Sequence, residues 1–294
     1  MPLKNQELQH GLVIAAYGKR YGVELDDGRE ISCVTRGKKT DLACGDRVNI
    51  KLTDTAEGVI ESNDPRTSLL YRSNAFRSKL LAANVTQIII VLATTPSFYE
   101  ELLNRCLLAA EAAGIEVVIV LNKCDLGDKQ EAMAKLQRYE ALGYRVLHMS
   151  AHEDISPLRP LLQGHTSVLV GQSGMGKSTI VNALLPGQQV RTQEVSQVLD
   201  SGKHTTTAAH LYHLDADSHL IDSPGLQEFG LHHLDIEALE RAFIEFRPYL
   251  GKCRFNNCRH LQEPDCALRE AAERHEIHPE RLQYYQSMAQ ELLR

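Results

Sequence analysis

The segment GQSGMGKS (171–178) sets three glycines, a lysine and a serine in the pattern G-x-x-x-x-G-K-[ST]. It follows the apolar run SVLV (167–170) and opens the helical run STIVNALL (178–185), which is the strand–loop–helix context that a phosphate-binding loop requires. Glycines at 171, 174 and 176 let the backbone N–H groups turn inward around phosphate oxygens, and the helix N-terminus adds a favourable dipole. The expected phosphate contacts are therefore Gly171, Gln172, Ser173, Gly174, Met175, Gly176, Lys177, Ser178 and Thr179, with Lys177 reaching the outer phosphates and Ser178 binding Mg²⁺.

A second constellation is NKCD (122–125), Asn122, Lys123, Cys124 and Asp125, at the end of an apolar strand. Guanine offers two N–H donors on one edge and O6/N7 acceptors on another. A carboxylate at 125 accepts both donors as a charge-assisted pair, while the Asn122 amide can donate towards N7 or O6. Adenine presents a mismatched pattern and leaves buried polar groups unpaired, so the tetrad implies GTP over ATP. Ser150 and Ala151, one strand later, suit a backbone contact to guanine O6. DSPG (222–225) closes another strand, with Asp222 placed to hold Mg²⁺ through water and the Gly225 amide to sense the γ-phosphate. The threonines of GKHTTT (202–207) suit a switch segment around the metal; of Thr205, Thr206 and Thr207, the spacing does not choose, and Thr206 is taken.

Cys253, Cys258, His260 and Cys266 form C-x4-C-x-H-x5-C. A Cys₃His tetrahedron satisfies Zn²⁺ and leaves no open position, which indicates a structural site. The surrounding segment is short and polar, so metal would supply much of its folding energy. The other cysteines, Cys33, Cys44, Cys106 and Cys124, are scattered, and such crowding of only three beside a histidine suggests metal rather than disulfides.

The elements that must position these groups fall into three expected units. Over residues 1–66, short alternating apolar runs are broken by turn signals such as Asp26-Asp27-Gly28 and Gly45-Asp46, which reads as a small antiparallel barrel. Over 67–233, apolar strands at 87–93, 115–122, 144–150, 166–171 and 219–225 alternate with helical patterns, which means βαβ units and a mostly parallel sheet. Over 234–294 the pattern is helical except for the cysteine-bearing loop at 251–266. The phosphate loop here follows the base-selecting tetrad, an order circularly permuted from that of most GTPases. Permutation costs the site little when all its loops lie at one edge of one sheet.

A hydrophobic content of 43% with 24% charged residues in 294 positions allows each unit a real core. No apolar run approaches the ~20 residues of a membrane span, and residues 1–15 lack signal-peptide features, so a cytoplasmic protein is expected. The net charge of −6 argues against indiscriminate nucleic-acid binding. Residues 1–80, however, carry 13 Lys/Arg against 11 Asp/Glu, while the rest carries 19 against 27. A mildly basic front suits RNA contact as well as simple solvation.

With those residues assembled, the chain closely resembles the RsgA (YjeQ) family of circularly permuted GTPases that depend on the small ribosomal subunit. The match runs through the barrel, AANVTQ (82–87), NKCD, GQSGMGKS, GKHTTT, DSPG with EFGL (228–231), and the C-x4-C-x-H-x5-C loop. The resemblance implies that the barrel is an OB-fold. It also implies that the protein binds the small subunit and its rRNA late in maturation, helps release assembly factors, and hydrolyses GTP under stimulation by the subunit. Arg36, Lys38, Lys39 and Lys51 become rRNA-contact candidates, and a monomer is expected. Leu226 stands where Ras-like GTPases carry a water-orienting glutamine, and Gly174 where potassium-activated ones carry asparagine. The resemblance places the catalytic histidine at His233, the second of His232 and His233. Competing readings are a scaffold that uses GTP only as a structural ligand and a P-loop enzyme with a small-molecule substrate.

Overall fold

A computed structural model describes residues 8–37, 41–74, 77–187, 209–222, 231 and 234–293, with the backbone alone for 72–74 and 77–79. Five N-terminal strands come first: β1 (Gln9–Tyr17), β2 (Arg20–Leu25), β3 (Glu30–Thr35), β4 (Arg47–Leu52) and β5 (Glu57–Asn63). Each buries alternate residues, such as Tyr21, Val23 and Leu25 on β2, as a period of two demands when one face lines a core. Their order, β1-β2-β3-β5-β4 with β4 returning to β1, closes a five-stranded barrel of the OB type.

A hairpin of β6 (Leu69–Asn74) and β7 (Arg77–Ala83) leads into the α/β unit. There follow β8 (Gln87–Ala93), α1 (Glu100–Ala113), β9 (Glu116–Asn122), α2 (Gln130–Ala141), β10 (Arg145–His148), α3 (Arg159–Leu162), β11 (Thr166–Val170), α4 (Lys177–Leu184), β12 (Ala209–His213) and β13 (His219–Asp222). Strands β10, β9, β8, β11 and β13 lie side by side and parallel, so their C-terminal ends share one edge. Every residue of β8 is buried, which is what a central strand covered on both faces requires.

The barrel is not a bead beside this sheet. A register shift between Val13 and Ala15 bends β1. Its first half pairs with β4, and Ala15 and Ala16 pair with His210 and Ala209 of β12, so eleven strands are hydrogen-bonded in one series. Side chains reinforce the seam. Asn84 accepts from the Thr67 N–H at 2.9 Å and donates to the Gly45 carbonyl at 2.8 Å. The Cys44 thiol donates to the Ala209 carbonyl at 3.0 Å, and Arg66 pairs with the fully buried Asp46 at 2.6 Å.

The C-terminal segment contains α5 (Ile236–Ala242), a 3-10 turn (Ile244–Phe246), α6 (Ala267–Glu273) and α7 (Pro279–Leu292). Asp235 caps α5 by accepting the Ala238 N–H at 2.7 Å. These helices share a continuous core with the α/β unit, in which Phe243 stacks on Phe246 at 4.6 Å and Tyr285 meets both edge-on. Arg281 is buried beneath them, paired with Glu245 at 2.6 Å, bonded to Asn104 of α1, and lying 4.7 Å over the Phe243 ring. None of the described helices is long and apolar enough to cross a membrane.

Candidate nucleotide and metal sites

The C-terminal ends of β9, β10, β11 and β13 carry NKCD, Ser150-Ala151, GQSGMGKS and Asp222, so the sheet delivers the separated motifs to one edge. One side chain joins three of them. Asn122, 2% exposed, accepts the Ala151 N–H at 2.9 Å and donates to the Met175 carbonyl at 3.0 Å. Its carbonyl oxygen is thus committed to the fold and one amide hydrogen is used, leaving the second for a ligand. Lys123 donates to the Thr95 carbonyl at 3.0 Å and the Gly174 carbonyl at 2.5 Å, so it too braces the phosphate loop. Cys124 anchors the turn through its thiol to the Leu121 carbonyl and its N–H to the Met149 carbonyl. Asp125 is exposed; a hydrogen bond from Ser150 chiefly holds its carboxyl below the usual range, so it stays ionised as a bidentate acceptor must.

The phosphate loop is built on glycine for two measurable reasons. Gly171 (φ 147°) lies so close to the Val91 carbonyl that a Cβ would sit 2.2 Å from its oxygen, and at Gly176 (φ 93°) a Cβ would sit 2.3 Å from Asn122 Nδ2. Ser173, Gly174, Ser178 and Thr179 are exposed, Gln172 is half-buried and Met175 is buried under the loop. Lys177 curls back, donating to the Gly171 and Gln172 carbonyls at 2.6 and 2.7 Å. Burial lowers its pKa, opposed by the Asp222 carboxylate, and burial raises that of Asp222, opposed by Lys177. Each charge thus offsets part of the cost of burying the other.

A fifth loop belongs to this edge and has no sequence motif. After β8, the Thr94 hydroxyl bridges the Lys123 and Leu126 carbonyls at 2.7 and 2.8 Å, and the Tyr99 N–H donates to the Gln172 side chain at 2.9 Å. The only signal was its position at the end of a parallel strand. Thr205, Thr206, Thr207, Gly225, Leu226, His232, His233, Lys38 and Lys39 lie outside the described residues. Of the remaining barrel cations, Lys51 is exposed and Arg36 pairs with Glu61 at 2.8 Å while its side chain stays 77% exposed.

Cys253, Cys258, His260 and Cys266 converge, their ligand atoms all within 4.8 Å of one another. His260 Nδ1 lies 3.5, 3.6 and 3.2 Å from the sulfurs of Cys253, Cys258 and Cys266. Burial lowers the His260 pKa, keeping the imidazole neutral as ligation requires, and pushes the Cys258 thiol up to about 12. Three thiols and a neutral imidazole around one point are the donor set of a closed tetrahedral site, so these residues fit a metal.

A family model described as RsgA GTPase matches residues 63–232. A protein of Nitrosospira multiformis named small ribosomal subunit biogenesis GTPase RsgA is 53% identical over 279 residues, covering 95% of this chain and 89% of its own length. One of the same name from Neisseria meningitidis serogroup C is 55% identical, covering 95% of this chain and 91% of its own. Among solved structures, YjeQ from Thermotoga maritima is 31% identical with a TM-score of 0.75, covering 97% of this chain and 99% of its own. YloQ, described as a circularly permuted GTPase, is 26% identical with a TM-score of 0.71, covering 99% and 98%. With its permuted motifs gathered at one sheet edge between an OB-type barrel and a Cys₃His cluster, the chain belongs to the RsgA GTPase family.

Proposed function

We propose that this protein is a GTPase that binds the small ribosomal subunit and assists its late maturation, hydrolysing GTP under stimulation by the subunit. The observation that carries the reading is the convergence of NKCD, Ser150-Ala151, GQSGMGKS and Asp222 on one edge, the first three locked together through Asn122. Asp125 accepts the two guanine donors, the second Asn122 hydrogen reaches the N7/O6 edge, and the Ala151 region contacts O6. The N–H groups of 171–179 surround the phosphates; Lys177 leaves its carbonyl partners to meet the outer ones. Ser178, Thr206 and Asp222 would hold Mg²⁺, which would supply positive charge beside the phosphates, while Gly225 senses the γ-phosphate. Leu226 cannot orient water, so His233 supplies that function with its donor and acceptor nitrogens. Zn²⁺ in the Cys₃His cluster is structural. The barrel, with Arg36, Lys38, Lys39 and Lys51, takes rRNA; the protein acts as a cytoplasmic monomer and promotes release of assembly factors.

GTP turnover with and without purified small subunits tests the reading. Strong stimulation is expected, and His233→Ala should lower stimulated turnover by about 10²-fold while leaving GTP affinity unchanged. Turnover indifferent to the subunit would remove the ribosomal assignment. A His233→Ala protein within about threefold of wild type would remove the histidine from the mechanism.

A further inference from the structure

Outside the nucleotide loops, a half-buried carboxylate and a buried phenol stand behind the Cys₃His cluster, and neither belongs to its ligand set. His260 is 4% exposed and adopts φ 59°, a left-handed conformation that a non-glycine residue holds only when its surroundings fix it. With Nδ1 facing the three sulfurs, Nε2 necessarily faces away from them. Glu240 of α5 lies there, its Oε1 3.6 Å from Nε2, and its side chain is 16% exposed. A shift of about half an ångström brings that pair to hydrogen-bond length. The same Oε1 accepts the Tyr285 hydroxyl at 3.0 Å, and that hydroxyl lies equally close to the Arg259 carbonyl, one residue before His260. Gln286, next along α7, donates to the His260 and Leu261 carbonyls at 2.8 and 3.1 Å.

The histidine is therefore held from two helices at both ring and backbone. A neutral imidazole carries one N–H, and which nitrogen keeps it decides whether the other can bind metal. A carboxylate at Nε2 selects the tautomer with Nε2–H and a lone pair at Nδ1, and raises the basicity of that lone pair.

We propose that Glu240, held in place by Tyr285, is a positioning residue of the metal site: its carboxylate accepts a hydrogen bond from the Nε2–H of His260 and so aims Nδ1 at the centre of the three thiols. The proposal rests on the reading of the cluster as a zinc site. It gives α5 a direct part in metal retention. That helix begins at Ile236, shortly after the DSPG segment in the chain, so the first described helix beyond the nucleotide motifs sets a carboxylate 3.6 Å from the cluster's histidine.

The test uses the full chain as wild type, Glu240→Ala, Glu240→Gln and Tyr285→Phe. Zinc affinity is measured by competition with a chromophoric chelator, GDP affinity by calorimetry, and the His260 tautomer by ¹⁵N NMR. Glu240→Ala should weaken zinc binding by about 10- to 100-fold and lose the pure Nε2–H tautomer, with GDP affinity unchanged. Glu240→Gln, whose amide oxygen still accepts, should stay within about threefold of wild type, and Tyr285→Phe should fall between the two. Zinc affinity and tautomer in Glu240→Ala equal to wild type would overturn the proposal. So would a Glu240→Gln protein as weak as Glu240→Ala, since charge and not positioning would then be the cause. Should Glu240→Ala not fold, Tyr285→Phe decides: zinc affinity indistinguishable from wild type overturns the proposal. A wild-type protein that takes up no zinc instead refutes the zinc reading itself, a separate and recognisable outcome.

Discussion

The nucleotide edge and the Cys₃His loop both gather residues from a short list of chemical types, yet they are held in opposite ways. At the nucleotide edge the loops are fixed by what lies under them. Five parallel strands end there, Asn122 and Lys123 cross-brace the loops, and Gly171 and Gly176 are pressed against backbone and amide atoms. The Cys₃His loop has no strand beneath it. Between Lys252 and Cys266 only His260 and Cys266 are buried, and the loop's ties include its own donor atoms and bonds from Ala267, Arg269, Tyr285 and Gln286. One region is preorganised by the sheet; the other is a donor set that fits a metal ion and has little packing of its own.

The largest expected effect comes from removing the ion. Structural zinc in comparably small units contributes an apparent 10–16 kcal/mol, so Cys258→Ser should lose the metal and open the loop around 251–266 to hydrogen exchange. If the two regions are held as described, GTP affinity should change by less than about threefold. A parallel collapse of GTP binding would break the comparison.

Gly176→Ala attacks the other region. A left-handed backbone costs alanine on the order of 1–3 kcal/mol, and displacing the buried Asn122 amide costs about as much again. Calorimetry should show GTP affinity falling by roughly 10²-fold or more, with zinc content untouched. Full affinity would mean that the loop yields easily and is not preorganised.

A smaller loss follows at the exposed rim. Asp125→Asn takes away the proposed bidentate acceptor while leaving the Asn122 bonds to Ala151 and Met175 in place, and an asparagine oxygen can still accept from Ser150. GTP affinity should fall by about 10- to 100-fold, and xanthosine triphosphate, which presents an oxygen in place of the amino group, should gain. Unchanged selectivity would displace Asp125 from the guanine edge.

Acid should separate the regions most gently. Metal ligands must be deprotonated, so zinc held by the cluster should be released as protons compete for the thiolates and imidazole while pH falls from 7 towards about 5. Asp125, with its pKa lowered from 3.8 by Ser150, remains ionised throughout that window, so guanine selectivity should persist. A pH titration following zinc release and GDP affinity together should show the first without the second.

Much of this was legible in the chain because the chemistry is local. Glycine spacing in 171–176, the tetrad at 122–125 and four metal donors within 253–266 each encode their geometry over a few residues, and period-two and helical patterns mark the supporting elements. Other features belong to tertiary structure alone. That β1 bends to join β12 depends on a one-residue register shift, which alternating patterns do not reveal. The part of Thr94 and Tyr99 in the nucleotide edge arises from strand order, with partners up to 73 positions away. Asn122 reads in the sequence as a base contact, whereas the fold also makes it the brace between loops 29 and 53 positions apart. Glu240 and Tyr285, 45 positions apart, meet at His260 only because α5 and α7 pack on one core. Local backbone chemistry is written in neighbouring residues, but which distant groups share a buried hydrogen bond is decided by how whole elements pack.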